Sequence, residues 1–75
     1  MRIAFVVGEL VTVHPNYESG IWLRNEINLS ISAETGHVPA NSLMTILEVS
    51  GESVKVVGQS GKLGWTWKNR LRKIQ

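Results

Sequence analysis

The chain has 75 residues, 43% of them hydrophobic, with no cysteine and a formal charge of +2. That length makes one small domain, residues 1–75, able to bury only about 60% of the surface its unfolded form exposes. Without cysteine neither a disulfide nor a thiolate zinc site staples it, so Val, Ile and Leu must supply the core, and the apolar content excludes a disordered tail.

Residues 2–7 are apolar and strand-like, so positions 1–9 form either an extra strand or an arm running through Gly8 toward Leu10. The apolar stretch at 3–7 is too short for a signal-peptide core. No run approaches the roughly 20 apolar residues of a membrane span, so a cytoplasmic protein without a membrane partner is expected. Leu10-Val11-Thr12-Val13 is rich in β-branched residues and reads as a strand that ends at His14-Pro15-Asn16, and residues 15–20 are a turn-rich excursion. Ile21-Trp22-Leu23-Arg24 comes next as a short strand or ordered loop segment.

Residues 25–39 are the least regular part. Ile27, Leu29 and Ile31 fall at period two, which predicts extended backbone, and Glu34-Thr35-Gly36-His37 then breaks the pattern. Residues 43–49 are the clearest strand, Ser50-Gly51-Glu52 a tight hairpin turn, and Val54-Lys55-Val56-Val57 the returning strand. Residues 58–62 make a second hairpin loop into Leu63-Gly64-Trp65-Thr66-Trp67. Lys68-Asn69-Arg70 suits one helical turn, and residues 71–74 a final short strand. No ten-residue window carries a 3.6-residue apolar repeat. The expectation is an all-β fold: a small, strongly bent barrel of five short strands with a long irregular first loop and one short helical turn before the last strand.

Charge is unevenly placed. Lys68, Arg70, Arg72 and Lys73 crowd the last eight residues, whereas the acidic residues are all glutamates scattered through the first 52. Such an end suits an acidic protein surface, nucleic acid, or an edge strand kept from pairing by its charge.

Two segments resemble the Src-homology-3-like barrels, the bacterial branch more closely than the eukaryotic one. Ile21-Trp22-Leu23-Arg24-Asn25 stands where the bacterial domains have Leu-Asn-Val-Arg-Ser. Residues 44–51 followed by Val54-Lys55-Val56 look like their central hairpin, and Ser60-Gly61-Lys62-Leu63-Gly64-Trp65-Thr66 resembles their Asn-Gly-Lys-Thr-Gly-Trp-Val. The likeness covers residues 10–75. It implies the barrel and a binding role, but the closing segment departs from the eukaryotic pattern: Trp67 replaces the groove proline and Arg70 the groove tyrosine. The shelf of aromatics that proline-rich peptides need is not evident, and proline-rich binding is not carried over.

Trp65 and Trp67 share one strand face with Thr66 opposite. If Thr66 faces inward, as the resemblance implies, the tryptophans line the outer surface. Trp65 then either packs over an open barrel end or joins a binding face, Trp67 is expected to bind, and Trp22 is either core or part of the same aromatic cluster. Trp22, Arg24, Trp65, Trp67, Lys68 and Arg70 are the candidate partner-binding residues, with Tyr17, Lys62 and Arg72 as a rim. Aromatics interleaved with basic residues also fit single-stranded nucleic acid.

His14 and His37 are the only histidines, and with neither Cys nor Asp a zinc site would need both plus glutamates from loops, so no metal or cofactor is expected. No aspartate exists to orient a histidine beside a serine, and no glycine-rich phosphate loop opens a helix, so the chain is not expected to be an enzyme. The expected function is a non-catalytic binding module for another protein or a peptide: a small regulator, adaptor or accessory protein. The alternatives are a nucleic-acid binder using the same face and a structural subunit of a symmetric homo-oligomer.

Overall fold

The computed structural model describes residues 4–28 and 33–74. The chain is all-β: β1 (Leu10–Val13), β2 (Ile21–Arg24), β3 (Glu34–Val38), β4 (Leu43–Ser50), β5 (Ser53–Gly58), β6 (Leu63–Trp67) and β7 (Leu71–Lys73), with a 3-10 turn at Lys68–Arg70 between the last two. They form one antiparallel sheet in the order β3-β2-β6-β5-β4-β1-β7, left open between β3 and β7. The expected five-strand count is therefore corrected to seven. The added pair is the β2–β3 hairpin, and β3 lies on Glu34-Thr35-Gly36-His37, where the sequence pattern breaks. Local strand propensity is weak there, and the strand forms because β2 supplies its hydrogen bonds and packing. The extended reading of Leu29 and Ile31 falls outside the described residues.

Positions 4–9 form an arm and no strand. Val6 N–H donates to the Glu9 carboxylate at 3.1 Å, and Gly8 N–H and the Glu9 carbonyl bond to the backbone of Ile46 at 2.7 and 3.0 Å. This ties the arm to β4 and drops Phe5 into the core at 6% exposure. Among the described residues no helix is long and apolar enough to cross a membrane.

The core obeys strand alternation. Val11 and Val13, Ile21 and Leu23, Met44 and Ile46, Val54 and Val56, and Leu71 point to one side and pack as a single cluster with Phe5 and Val38. Alternation is interrupted in two places by β-bulges. On β4 the register slips between Ile46 and Glu48, so Val49 pairs with Val54 and Glu48 with Lys55. Strict alternation after Met44 and Ile46 would have turned Glu48 inward. The extra residue, Leu47, puts the carboxylate outside and turns Val49 toward the cluster. A second slip, between Leu23 and Arg24, sets Glu34 opposite Arg24.

The β2–β3 hairpin joins the rest of the sheet through one register pair, Arg24 with Trp65. Close approach at this seam requires Gly64, where a Cβ would lie 2.8 Å from both the Arg24 carbonyl oxygen and Leu23 Cβ. Beside it Thr66, at 1% exposure, faces the core with a hydroxyl that finds no hydrogen-bond partner among the described residues.

Two stability predictions result. Thr66→Val removes an unsatisfied hydroxyl while keeping the shape, and is expected to raise stability by about 1 kcal/mol, read as a higher urea midpoint. A lower midpoint would mean that the hydroxyl is satisfied. Gly64→Ala is expected to lower stability by at least about 2 kcal/mol, with early hydrogen exchange across β2 and β3, whereas unchanged protection of those strands would disprove the seam's role.

Candidate partner-binding face

Along the outer face a row of side chains crosses the sheet. The register sets Glu34 (β3), Arg24 (β2), Trp65 (β6), Lys55 (β5) and Glu48 (β4) side by side. Arg24 and Glu34 form an ion pair at 3.6 Å, and so do Lys55 and Glu48. Trp65 thus lies between two cations, each neutralised on its far side by a carboxylate that a bulge has delivered. At 9% exposure it is nearly buried, yet it stands apart from the central apolar cluster. Of the two readings open for Trp65, its burial matches packing. Residues 25–28 approach the same face, where Ser53 Oγ donates to the Ile27 carbonyl at 3.2 Å.

Trp67 and Arg70 form a different environment. Trp67 ends β6 half-buried, and the 3-10 turn brings Arg70 back so that its guanidinium carbon lies 4.6 Å from the Trp67 ring centre. The same carbon is 5.2 Å from the ring of Tyr17. Two successive turns hold Tyr17 there: its N–H donates to the His14 carbonyl, and its carbonyl accepts from Gly20 N–H, both at 2.9 Å. His14 meets the Tyr17 ring edge-on with centres 6.4 Å apart, and its own N–H bonds the Arg70 carbonyl at 2.8 Å. Residues far apart in sequence therefore make one aromatic–cation cluster. Cation–ring contacts of this kind contribute about 0.5–2 kcal/mol. Among the described residues no carboxylate lies within 4.0 Å of the Arg70 or Lys68 side-chain nitrogens.

Trp22 belongs elsewhere. It is 50% exposed on β2, and its ring partner among the described residues is His37 on β3, with centres 5.0 Å apart. His37 Nε2 donates to the Ser19 carbonyl at 2.7 Å, and Lys62 Nζ donates to the His37 carbonyl at 2.8 Å. An open cavity of about 310 Å³ lies beside them, lined by His37, Pro39, Gln59 and Lys62 among others. No ring pair links Trp22 to Trp65 or Trp67 among the described residues, and at 50% exposure it is not core either, so neither sequence reading of Trp22 describes its place.

The candidate residues thus fall into three groups. Tyr17, Trp67 and Arg70 are together, with Lys68 on the same turn. Arg24 and Trp65 are in the neutralised row. Trp22 and Lys62 stand with His37, and Arg72 is exposed on β7. Tyr17 moves from rim to centre; Glu34, considered from sequence only as a metal ligand or a partner of His37, pairs with Arg24, and Glu48 is not among the sequence candidates. A search for glutamates near strand ends would have flagged them, but only the bulges assign them to Arg24 and Lys55. Comparison with protein-family models, curated proteins and solved structures finds no match for this chain.

Quenching separates the tryptophans. Trp22→Phe is expected to remove the largest share of iodide-quenchable emission and Trp65→Phe to leave it nearly unchanged. The opposite ranking would place Trp65 at the surface.

Proposed function

We propose that this chain is a non-catalytic binding module of the Src-homology-3-like kind whose partner is another protein or a peptide. The observation that carries this reading is the half-buried Tyr17–Arg70–Trp67 cluster, in which two rings hold a guanidinium that has no carboxylate partner among the described residues. Tryptophan, tyrosine and arginine dominate interface energetics because they bring large contact area and directional donors at small conformational cost. The likeness to the family is supported by the two hairpins β4–β5 and β5–β6 and by the 3-10 turn before the last strand. The β2–β3 hairpin is an addition to five strands.

Charge pairing favours a protein partner over nucleic acid. A phosphate-tracking surface needs several cations free to replace counterions. Here Arg24, Lys55 and Lys73 are each bridged to a glutamate, the last to Glu9 at 3.4 Å, and Lys62 bonds a carbonyl. What remains near Trp67 is a short cationic turn rather than a track.

Immobilised protein and its Trp67→Ala variant, incubated side by side with lysate, test the reading. Trp67→Ala is expected to weaken retention of a specific protein by at least about 2 kcal/mol, roughly 30-fold, with the circular dichroism spectrum unchanged. Unfolding of the variant would make Trp67 a core residue and end the claim, and partner retention unaffected by it would move the interface elsewhere.

A further inference from the structure

We infer that the Tyr17–Arg70–Trp67 cluster is a carboxylate anchor, and that the partner is a peptide segment presenting an acidic side chain to Arg70. This rests on the binding-module reading and specifies its chemistry. Arginine carries five N–H donors in a planar fork that matches a carboxylate in bidentate geometry. Three other cations are already matched to glutamates: Arg24 to Glu34, Lys55 to Glu48 and Lys73 to Glu9. Arg70 is half-buried, so its charge is partly removed from water, but rings rather than an acid hold it. Ring contacts stabilise the positive charge and orient the side chain without using its N–H donors as a carboxylate would.

A second cation without a carboxylate partner among the described residues stands near Arg70. Lys68 lies on the same turn, and Lys68 N–H bonds the Glu52 backbone carbonyl at 2.9 Å. Glu18 and Glu52, the nearest acids in sequence, are both exposed, and neither is paired with Arg70 or Lys68. A peptide carboxylate would therefore meet a positive site with an oriented donor fork and a half-exposed tryptophan beside it, which supplies apolar contact for the flanking residue. This arrangement reverses the polarity of a groove that reads basic ligands. It also differs from a nucleic-acid platform, which needs repeated phosphate contacts.

A phage-displayed library of random dodecapeptides, selected on the intact chain, tests the inference. Selected peptides are expected to share an Asp or Glu at one register position. Replacing that residue by Asn or Gln should lower affinity at least about tenfold, and Arg70→Gln should do the same, measured at a temperature where the variant, its thermal midpoint lowered by the lost ring contacts, is still folded. Arg70→Lys, which keeps the charge and loses the fork, should recover only part of the affinity. The peptide substitutions keep the test decisive even where an Arg70 variant folds poorly. Binders that lack an acid, or tolerate its replacement, yet are lost with Trp67→Ala would overturn the carboxylate anchor and leave the module reading standing. A library without any Trp67-dependent binder, or Arg70-dependent binding of oligothymidylate in its place, would overturn both.

Discussion

The seam between β2 and β6 governs much of this molecule. One register pair, Arg24 with Trp65, connects the β2–β3 hairpin to the other five strands. Gly64 makes the approach possible, since a Cβ at that position would press on the Arg24 carbonyl oxygen and on Leu23 Cβ. Leu23 reaches the core through this gap, and Ile21 and Val38 enter with it, so three of the buried apolar side chains depend on a position without a side chain. In a domain this small, where the stability margin is thin, losing that fraction of apolar burial would be severe. Thr35 Oγ1 lies 3.4 Å from both the Leu23 and Leu63 carbonyl oxygens, and Lys62 lays its stem over Gly36, so β3 is fastened to β6 and its loop as well as to β2.

The same seam organises the electrostatics of the outer face. Trp65 is set between Arg24 and Lys55 by register, and the two bulges bring a glutamate to each cation. Each exposed pair contributes little to stability, at most about 1 kcal/mol. Their larger effect is electrostatic: they neutralise the two cations beside Trp65, whereas Arg70 and Lys68 on the 3-10 turn have no carboxylate partner among the described residues.

Burial and ring contacts divide the aromatic residues. Trp65, covered and flanked by neutralised charges, stabilises the face on which it lies. Trp67 retains exposed surface beside an arginine without an acidic partner among the described residues, and Trp22 meets the His37 ring at a tilt on the far side of the seam.

The sequence by itself determined the all-β class, the hairpin turn at Gly51, the short turn at Lys68–Arg70 and the opposition of Thr66 to its flanking tryptophans. These are local: a glycine with φ of +57° or a two-residue alternation is written in adjacent positions. Tertiary structure alone decided the strand at Glu34–Val38, because its residues have weak strand preference and β2 supplies the pairing. It alone set the bulges at Leu47 and Thr35, since a register slip of one residue leaves no local mark but exchanges the faces of everything beyond it. The meeting of Tyr17 with Arg70 was equally hidden. It depends on β1 pairing with β7, which brings the turn after one strand against the turn before the other.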